Sequence, residues 1–161
     1  PAYEIMPRLV GSEMCIRDSH TTKLNMKLAG FGAAIEWHQD FAFYPHTNDD
    51  MLAVGVMLDD MTPDNGPMLM IPGSHRGPTH DHHQDGHFCG AMNLGSADVD
   101  LSQAEMILGR AGACSFHHVR TVHGSAQTRA ADTRRWLLSE VAAADAASPR
   151  GRRRRVVAFS G

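Results

Sequence analysis

At 161 residues and 42% hydrophobic content, the chain is long enough for one domain with a buried core. Its formal charge of -3 gives no basis for expecting a nucleic-acid or membrane-surface partner, and no apolar run reaches the ~18 residues that a bilayer span needs. Its 3 cysteines are too few for a disulfide scaffold, so a reducing, cytoplasmic setting is expected.

In chain order, the first segment stands apart from the rest. Val10-Gly-Ser-Glu-Met-Cys-Ile-Arg-Asp-Ser19 back-translates in one reading frame to a transposase adapter used in short-read sequencing libraries. Ala2-Tyr-Glu-Ile5 fits the flow-cell end of the same oligonucleotide. Residues 1–19 are therefore expected to be adapter-derived and are set aside from fold reasoning. The native domain is expected to start near His20, N-terminally truncated, as a metagenomic fragment. Cys15 then leaves the count, and Cys89 and Cys114 remain.

Residues 23–28, Lys-Leu-Asn-Met-Lys-Leu, alternate polar and apolar, the period of a half-buried strand. Residues 35–43 alternate again and predict a second strand. Residues 51–58 are almost wholly apolar and predict a strand buried on both faces. Asp64-Asn65-Gly66 is a turn signal, and residues 68–71 form a short strand stopped by Pro72-Gly73. Gly66 and Gly73 are expected at positive φ. Residues 79–87 hold His80, His82, His83 and His87; the Asp, Gly and Pro around them favour a surface loop over a second metal site.

Residues 102–108 suit a short helix or a strand edge. Residues 113–123 alternate, which places Ser115, His117, Val119, Thr121 and His123 on one face of one strand. Residues 134–141 predict a further strand. Residues 20–147 thus read as one domain. The basic run through Arg150 and Arg152 to Arg155 belongs to a tail, 148–161, expected to be disordered or read out of frame. Many short strands with Gly/Pro-rich turns predict an all-β sandwich or barrel, and composition alone does not choose between them.

The chemistry-bearing residues are dispersed. His38 and Asp40 lie two apart, on one side of an extended strand, and His123 follows far downstream. Two imidazoles and one carboxylate can occupy one face of an octahedral Fe(II) and leave three positions open. A lone His-x-Asp is a weak signal; in isolation it is more often a surface strand pair, and a lone His a satisfied core residue.

The flanking segments add to it. Lys23-Leu-Asn-Met-Lys27, Glu36-Trp-His-Gln-Asp40, Asn65-Gly-Pro67, Ile71-Pro-Gly-Ser-His75, His117-His-Val-Arg-Thr-Val-His-Gly-Ser125 and Arg134-Arg135 span about three quarters of the chain. In order and approximate spacing they resemble the phytanoyl-CoA dioxygenase family of Fe(II)/2-oxoglutarate oxygenases, especially its bacterial members. The resemblance implies a double-stranded β-helix, the jelly-roll or cupin-like barrel. It implies Fe(II), 2-oxoglutarate and O2, a small-molecule substrate, and succinate and CO2 as co-products.

On the same footing, His38, Asp40 and His123 are the expected catalytic metal ligands. Arg134, Ser125 and Asn25 are the expected co-substrate residues, Arg134 as a two-pronged clamp on the distal carboxylate. Parity turns Arg135 the other way, toward a surface ion pair. Trp37, Phe43 and His117 are candidates for a substrate pocket; Phe41 is as well explained by core packing, and Arg120 by an ion pair. Halogenating members replace the carboxylate ligand with a small residue, so Asp40 argues for hydroxylation or a related oxidation. The alternative is a non-catalytic cupin-like barrel that binds a metal or small ligand. A zinc-type hydrolase is disfavoured, because nothing marks a general base beside the metal. No motif specifies the substrate or an oligomeric state.

Overall fold

The computed structural model describes residues 18–143 and 145–148. The adapter-like segment up to residue 17 and the basic run Arg150 to Arg155 lie outside the described residues. Residues 18 and 19, the last two of the adapter-like segment, continue the backbone of the first strand.

The strands are β1 (Asp18–Lys27), β2 (Ile35–His38), β3 (Met51–Met57), β4 (Met68–Met70), β5 (His83–Gln84), β6 (His87–Phe88), β7 (Glu105–Ile107), β8 (Cys114–His118), β9 (His123–Ser125) and β10 (Arg134–Ala142). Two four-stranded sheets form, in the orders β1-β10-β3-β8 and β2-β9-β4-β7, and β5-β6 is a separate hairpin. Every described pairing is antiparallel. Two facing four-stranded antiparallel sheets are the architecture of a jelly roll. No helix among the described residues is long and apolar enough to cross a membrane.

The alternation in β1 is present, with a consequence for the barrel interior. Its apolar face, Leu24, Met26 and Leu28, is 49%, 48% and 51% exposed, while Lys27 is buried and Asn25 lines an internal cavity. The polar side of the strand faces inward because the barrel encloses a site rather than a uniform apolar core. In β3 the expectation of burial on both faces is corrected. Met51, Ala53, Gly55 and Met57 are buried, and Leu52, Val54 and Val56 between them are only half-buried.

Two predicted strands are broken where the site needs a corner. The second strand ends at His38, and Asp40–Ala42 forms a 3-10 turn. The strand expected across residues 113–123 divides into β8 and β9, which lie in different sheets, with a turn closed by Thr121 N donating to His118 O at 2.8 Å. Residues 101–107 hold both forms expected of that stretch, a 3-10 turn (Leu101–Gln103) capped by Asp100 and then β7. Gly66 and Gly73 take φ of 74° and 78°, as their turns require. The His-rich stretch is the β5-β6 hairpin, turned by Asp85 and Gly86 at φ of 51° and 77°, the signature of a type I′ turn.

One end of the barrel is filled by Met57, Met61, Met68, Met70 and Trp136. Fully burying a side chain of this kind stabilises a fold by about 1.5–3 kcal/mol. The cavity occupies the space beside this floor. Its wall on the larger sheet is set by register. Glu140 pairs with Ala53, which pairs with His117; Leu138 pairs with Gly55 and Lys23; Trp136 pairs with Met57 and Asn25; Arg134 pairs with Lys27. Arg134, Trp136, Leu138 and Glu140 share one face of β10, because residues two apart point the same way.

Candidate metal centre

His38 ends β2 directly opposite His123 on β9, with ring centroids 4.2 Å apart. Gln39 stays extended, and its side chain turns away from the ligands. It is 0% exposed: Nε2 donates to Pro78 O and Arg120 O at 3.0 and 2.8 Å, and Oε1 accepts from His80 N at 2.8 Å. Its backbone N–H donates to His82 Nε2 at 3.0 Å. The middle residue of the His-x-Asp motif is thus held on every side, which fixes the angle at which Asp40 leaves the strand.

Asp40 Oδ1 lies 3.7 Å from His38 Nε2, and Oδ2 lies 3.6 Å from His123 Nε2. One ligand atom from each of His38, Asp40 and His123 falls within 4.8 Å of the others, and this is the one such group of three among the described residues. His38 Nδ1 sits 2.7 Å from Glu36 O, and His123 Nδ1 sits 2.8 Å from Thr121 O. A carbonyl accepts only from N–H, so both rings carry a proton on Nδ1 and turn Nε2 toward Asp40. That is the tautomer a metal requires.

Burial pushes the His123 imidazole down to about 3, so it is neutral at physiological pH. Burial alone would raise the Asp40 carboxyl, but the surrounding imidazoles of His117, His123 and His38 together hold it below the ordinary carboxylate range. A charged carboxylate and two imidazoles suit a divalent ion with nitrogen and oxygen ligands.

His117 approaches from the opposite sheet. Its Nε2 is 3.4 Å from Asp40 Oδ2, too loosely aligned for a hydrogen bond, and neither ring nitrogen has a hydrogen-bond partner. The parity reading placed His117 and His123 on one strand face. They meet instead because two sheets face each other, with ring centroids 4.7 Å apart.

The second cluster surrounds Arg134, which is 1% exposed and makes no ion pair among the described residues. Its Nη1 donates to Asn25 Oδ1 at 3.3 Å, its Nη2 to Gly66 O at 2.6 Å, and its Nε has no partner. Lys27, buried nearby, donates to Ala33 O; burial and the Arg134 charge push its ammonium down to about 8. A buried guanidinium without a carboxylate is costly unless an anionic ligand completes it. The buried Ser125 Oγ and Trp136 Nε1 also lack partners, and both residues line the cavity.

The cavity is about 140 Å³ and is lined by His38, Asp40, His117, His123, Asn25 and Ser125 together with Lys23 and Glu140. Phe43 is not among its lining residues; its ring stands edge-on to His38 at 5.7 Å and to Phe88 of the hairpin at 5.1 Å. Trp37 does not line it; it packs with Ile71, Met92 and Val122. Phe41 packs on Met51, Val119 and Ala142. Arg120 pairs with Asp49 at 2.8 Å and Arg135 with Asp59 at 2.7 Å, the ion pairs expected of them. In the His-rich hairpin, His82 is buried with both ring nitrogens bonded and His83 is paired with Asp81 at 2.8 Å, so the stretch braces the site.

Sequence reasoning missed three residues: Gln39 as the brace, and Lys23 and Glu140 as cavity wall. The signal for Glu140 was parity along β10, three steps of two residues from Arg134.

Comparison with known proteins agrees with this geometry. The family model for "Phytanoyl-CoA dioxygenase (PhyH)" matches residues 3–136. A "probable alpha-ketoglutarate-dependent hypophosphite dioxygenase" of Stutzerimonas stutzeri is 45% identical over 131 residues, covering 79% of this chain and 46% of that protein. The chain therefore spans a little under half of that relative's length. Among solved structures, the apo form of the non-heme monooxygenase ThoJ superposes with a TM-score of 0.66 at 27% identity, over 76% of this chain and 45% of that one. EctD from S. alaskensis with 2-oxoglutarate and 5-hydroxyectoine superposes with a TM-score of 0.66 at 26% identity, over 86% and 48%. The chain belongs to the phytanoyl-CoA dioxygenase family.

Proposed function

We propose that this protein is an Fe(II)- and 2-oxoglutarate-dependent dioxygenase that hydroxylates a small molecule and releases succinate and CO2. The observation that carries the reading is a cavity lined by three convergent ligand atoms, with an uncompensated buried guanidinium bonded to Asn25 of its wall. His38, Asp40 and His123 would hold the iron, whose open coordination face supplies the oxidising chemistry. Arg134 binds the distal carboxylate of the 2-oxoacid through its guanidinium fork. Asn25 orients that guanidinium by accepting from Nη1. The Ser125 hydroxyl, two residues from His123 on β9, is placed to donate to the same anion.

On the substrate side, Phe43 shields the outer edge of His38 from water, and His117 presents an unpaired ring nitrogen to the cavity. Trp37 acts from behind, packing the strand that delivers His38.

The test is anaerobic titration with Fe(II) and 2-oxoglutarate, followed by the weak visible metal-to-ligand charge-transfer band of a chelated 2-oxoacid. The band should appear with the native triad, vanish in Asp40→Ala and weaken in Arg134→Ala. A folded, monodisperse protein that gives no band would instead be a binding barrel.

A further inference from the structure

Glu140 is the one acidic side chain besides Asp40 that lines the cavity, and the metal and co-substrate assignments leave it unused. It is 3% exposed, and its Oε2 has no hydrogen-bond partner. Cross-strand register places it one residue from His117 across the small Ala53, on the same inner face. Lys23 is its diagonal neighbour: Thr21 is directly opposite Glu140, and Lys23 follows two residues later on the same face of β1. Lys23 also lines the cavity. Arg134 lies at the other end of the same face of β10, six residues away. The Glu140–Lys23 wall is therefore separate from the proposed 2-oxoacid clamp.

Given the dioxygenase reading above, on which this step rests, we propose that Glu140 and Lys23 form the substrate subsite, and that it takes the oxyanion group of a small monoanionic substrate. Glu140 offers its unpartnered carboxyl to that group, and Lys23 supplies the positive charge.

Three observations agree on the sign of the charge. Burial, reinforced by the Asp40 carboxylate, pushes the Glu140 carboxyl up to about 8 even with Lys23 opposing, so at neutral pH it is a donor without charge. A cationic substrate would have to strip that proton and meet the Lys23 ammonium. With a divalent metal, a 2-oxoacid dianion, Asp40, Arg134 and Lys27 in place, the site carries net positive charge before Lys23 is counted, which favours an anionic over a cationic substrate. Size agrees as well. A cavity of about 140 Å³ is below the roughly 300–1,000 Å³ of sites for drug-sized ligands, and the co-substrate shares it.

The experiment uses protein loaded anaerobically with Fe(II) and 2-oxoglutarate, and reads binding by calorimetry. Hypophosphite and acetate are the anionic probes, and choline is the cationic control. At least one anion should bind wild type and choline should not. Glu140→Ala should weaken that anion ~10- to 100-fold, the loss of one hydrogen bond to a charged group. Lys23→Met should weaken it roughly 5-fold, as suits a more exposed charge. Glu140→Gln keeps a donor and should stay close to wild type. The retained charge-transfer band certifies that each variant is folded and loaded.

The proposal is overturned if neither anion binds wild type while the band is present, if choline binds instead, or if Glu140→Ala leaves anion affinity unchanged. It is also overturned if Glu140→Gln is as weak as Glu140→Ala. Absence of the band from wild type would instead overturn the dioxygenase reading, so the two failures are told apart.

Discussion

Replacing Glu140 with glutamine keeps its size and a hydrogen-bonding end but removes one titration. Burial, with the Asp40 charge added, raises the Glu140 carboxyl from 4.5 to about 8. The unfolded chain releases this proton at the ordinary value. Between those two values the folded state holds a proton that the unfolded state has lost, so stability is full below 4.5 and falls as pH rises toward 8. At about 1.4 kcal/mol per unit, the whole shift corresponds to ~5 kcal/mol. Water entering the cavity screens part of it, which leaves about 2–4 kcal/mol. Glutamine does not titrate. Metal-free Glu140→Gln should therefore equal wild type near the acid end of the window and exceed it by that amount at the alkaline end. Urea unfolding of both proteins from about pH 5 to about pH 8.5 measures the gap. Folded-state Asp40 and His123 titrate below this window, so neither changes charge across it in either folded protein. A gap that stays flat across the window would refute the assignment of a buried, protonated Glu140.

Arg134→Lys should leave the fold intact and weaken 2-oxoglutarate ~10- to 100-fold, because an ammonium cannot reproduce the two-pronged contact or the bonds to Asn25 and Gly66; a calorimetric change below about threefold would count against the clamp. Gly55→Ala puts a Cβ 2.4 Å from the Trp136 indole, so it should cost ~1–3 kcal/mol and lower Tm, and an unchanged Tm would show that the ring does not lie over Gly55. Ser125→Ala removes a buried hydroxyl that has no partner, so the ligand-free protein should be as stable as wild type or gain about 1 kcal/mol, while 2-oxoglutarate binds more weakly. Loss of both stability and affinity would instead give Ser125 a structural role.

The convergence of His38, Asp40 and His123 was legible in the sequence because the combination of residue types is so restrictive, although the geometry first inferred for it was only partly right. His38 and Asp40 do converge, but across a strand end and a 3-10 turn rather than along one strand. His117 and His123 do meet, but from two sheets rather than from one face. In both cases alternation ran on through a corner, since a turn closed by backbone hydrogen bonds carries no hydrophobic signature. The strands themselves were legible at β1, β3, β4 and β10. Their order was not, because β10 pairs between β1 and β3 and begins 77 residues after the end of the nearer of them, and only the folded register shows it. Alternation in β1 revealed two faces without saying which turns inward. That choice depends on what the barrel encloses, and so Lys23 and Glu140 came to light only in the structure.

The polar interior fixes how stability and activity are related in this fold. Ser125, Trp136 Nε1, His117, Arg134 Nε and Glu140 Oε2 are buried without hydrogen-bond partners, and all but Arg134 line the same cavity. An unsatisfied buried polar group costs about 1–3 kcal/mol, so five of them would be a severe defect in an ordinary core. On the proposed reading four of them divide among separate ligands: His117 beside the metal, Ser125 and Arg134 toward the 2-oxoacid, and Glu140 toward the substrate. Each ligand relieves a different part of the cost, and each should stabilise the fold in proportion to the logarithm of its own saturation. The methionine and tryptophan floor makes this arrangement tolerable, because it supplies apolar burial at one end of the barrel while the other end keeps its polar groups ready for ligands.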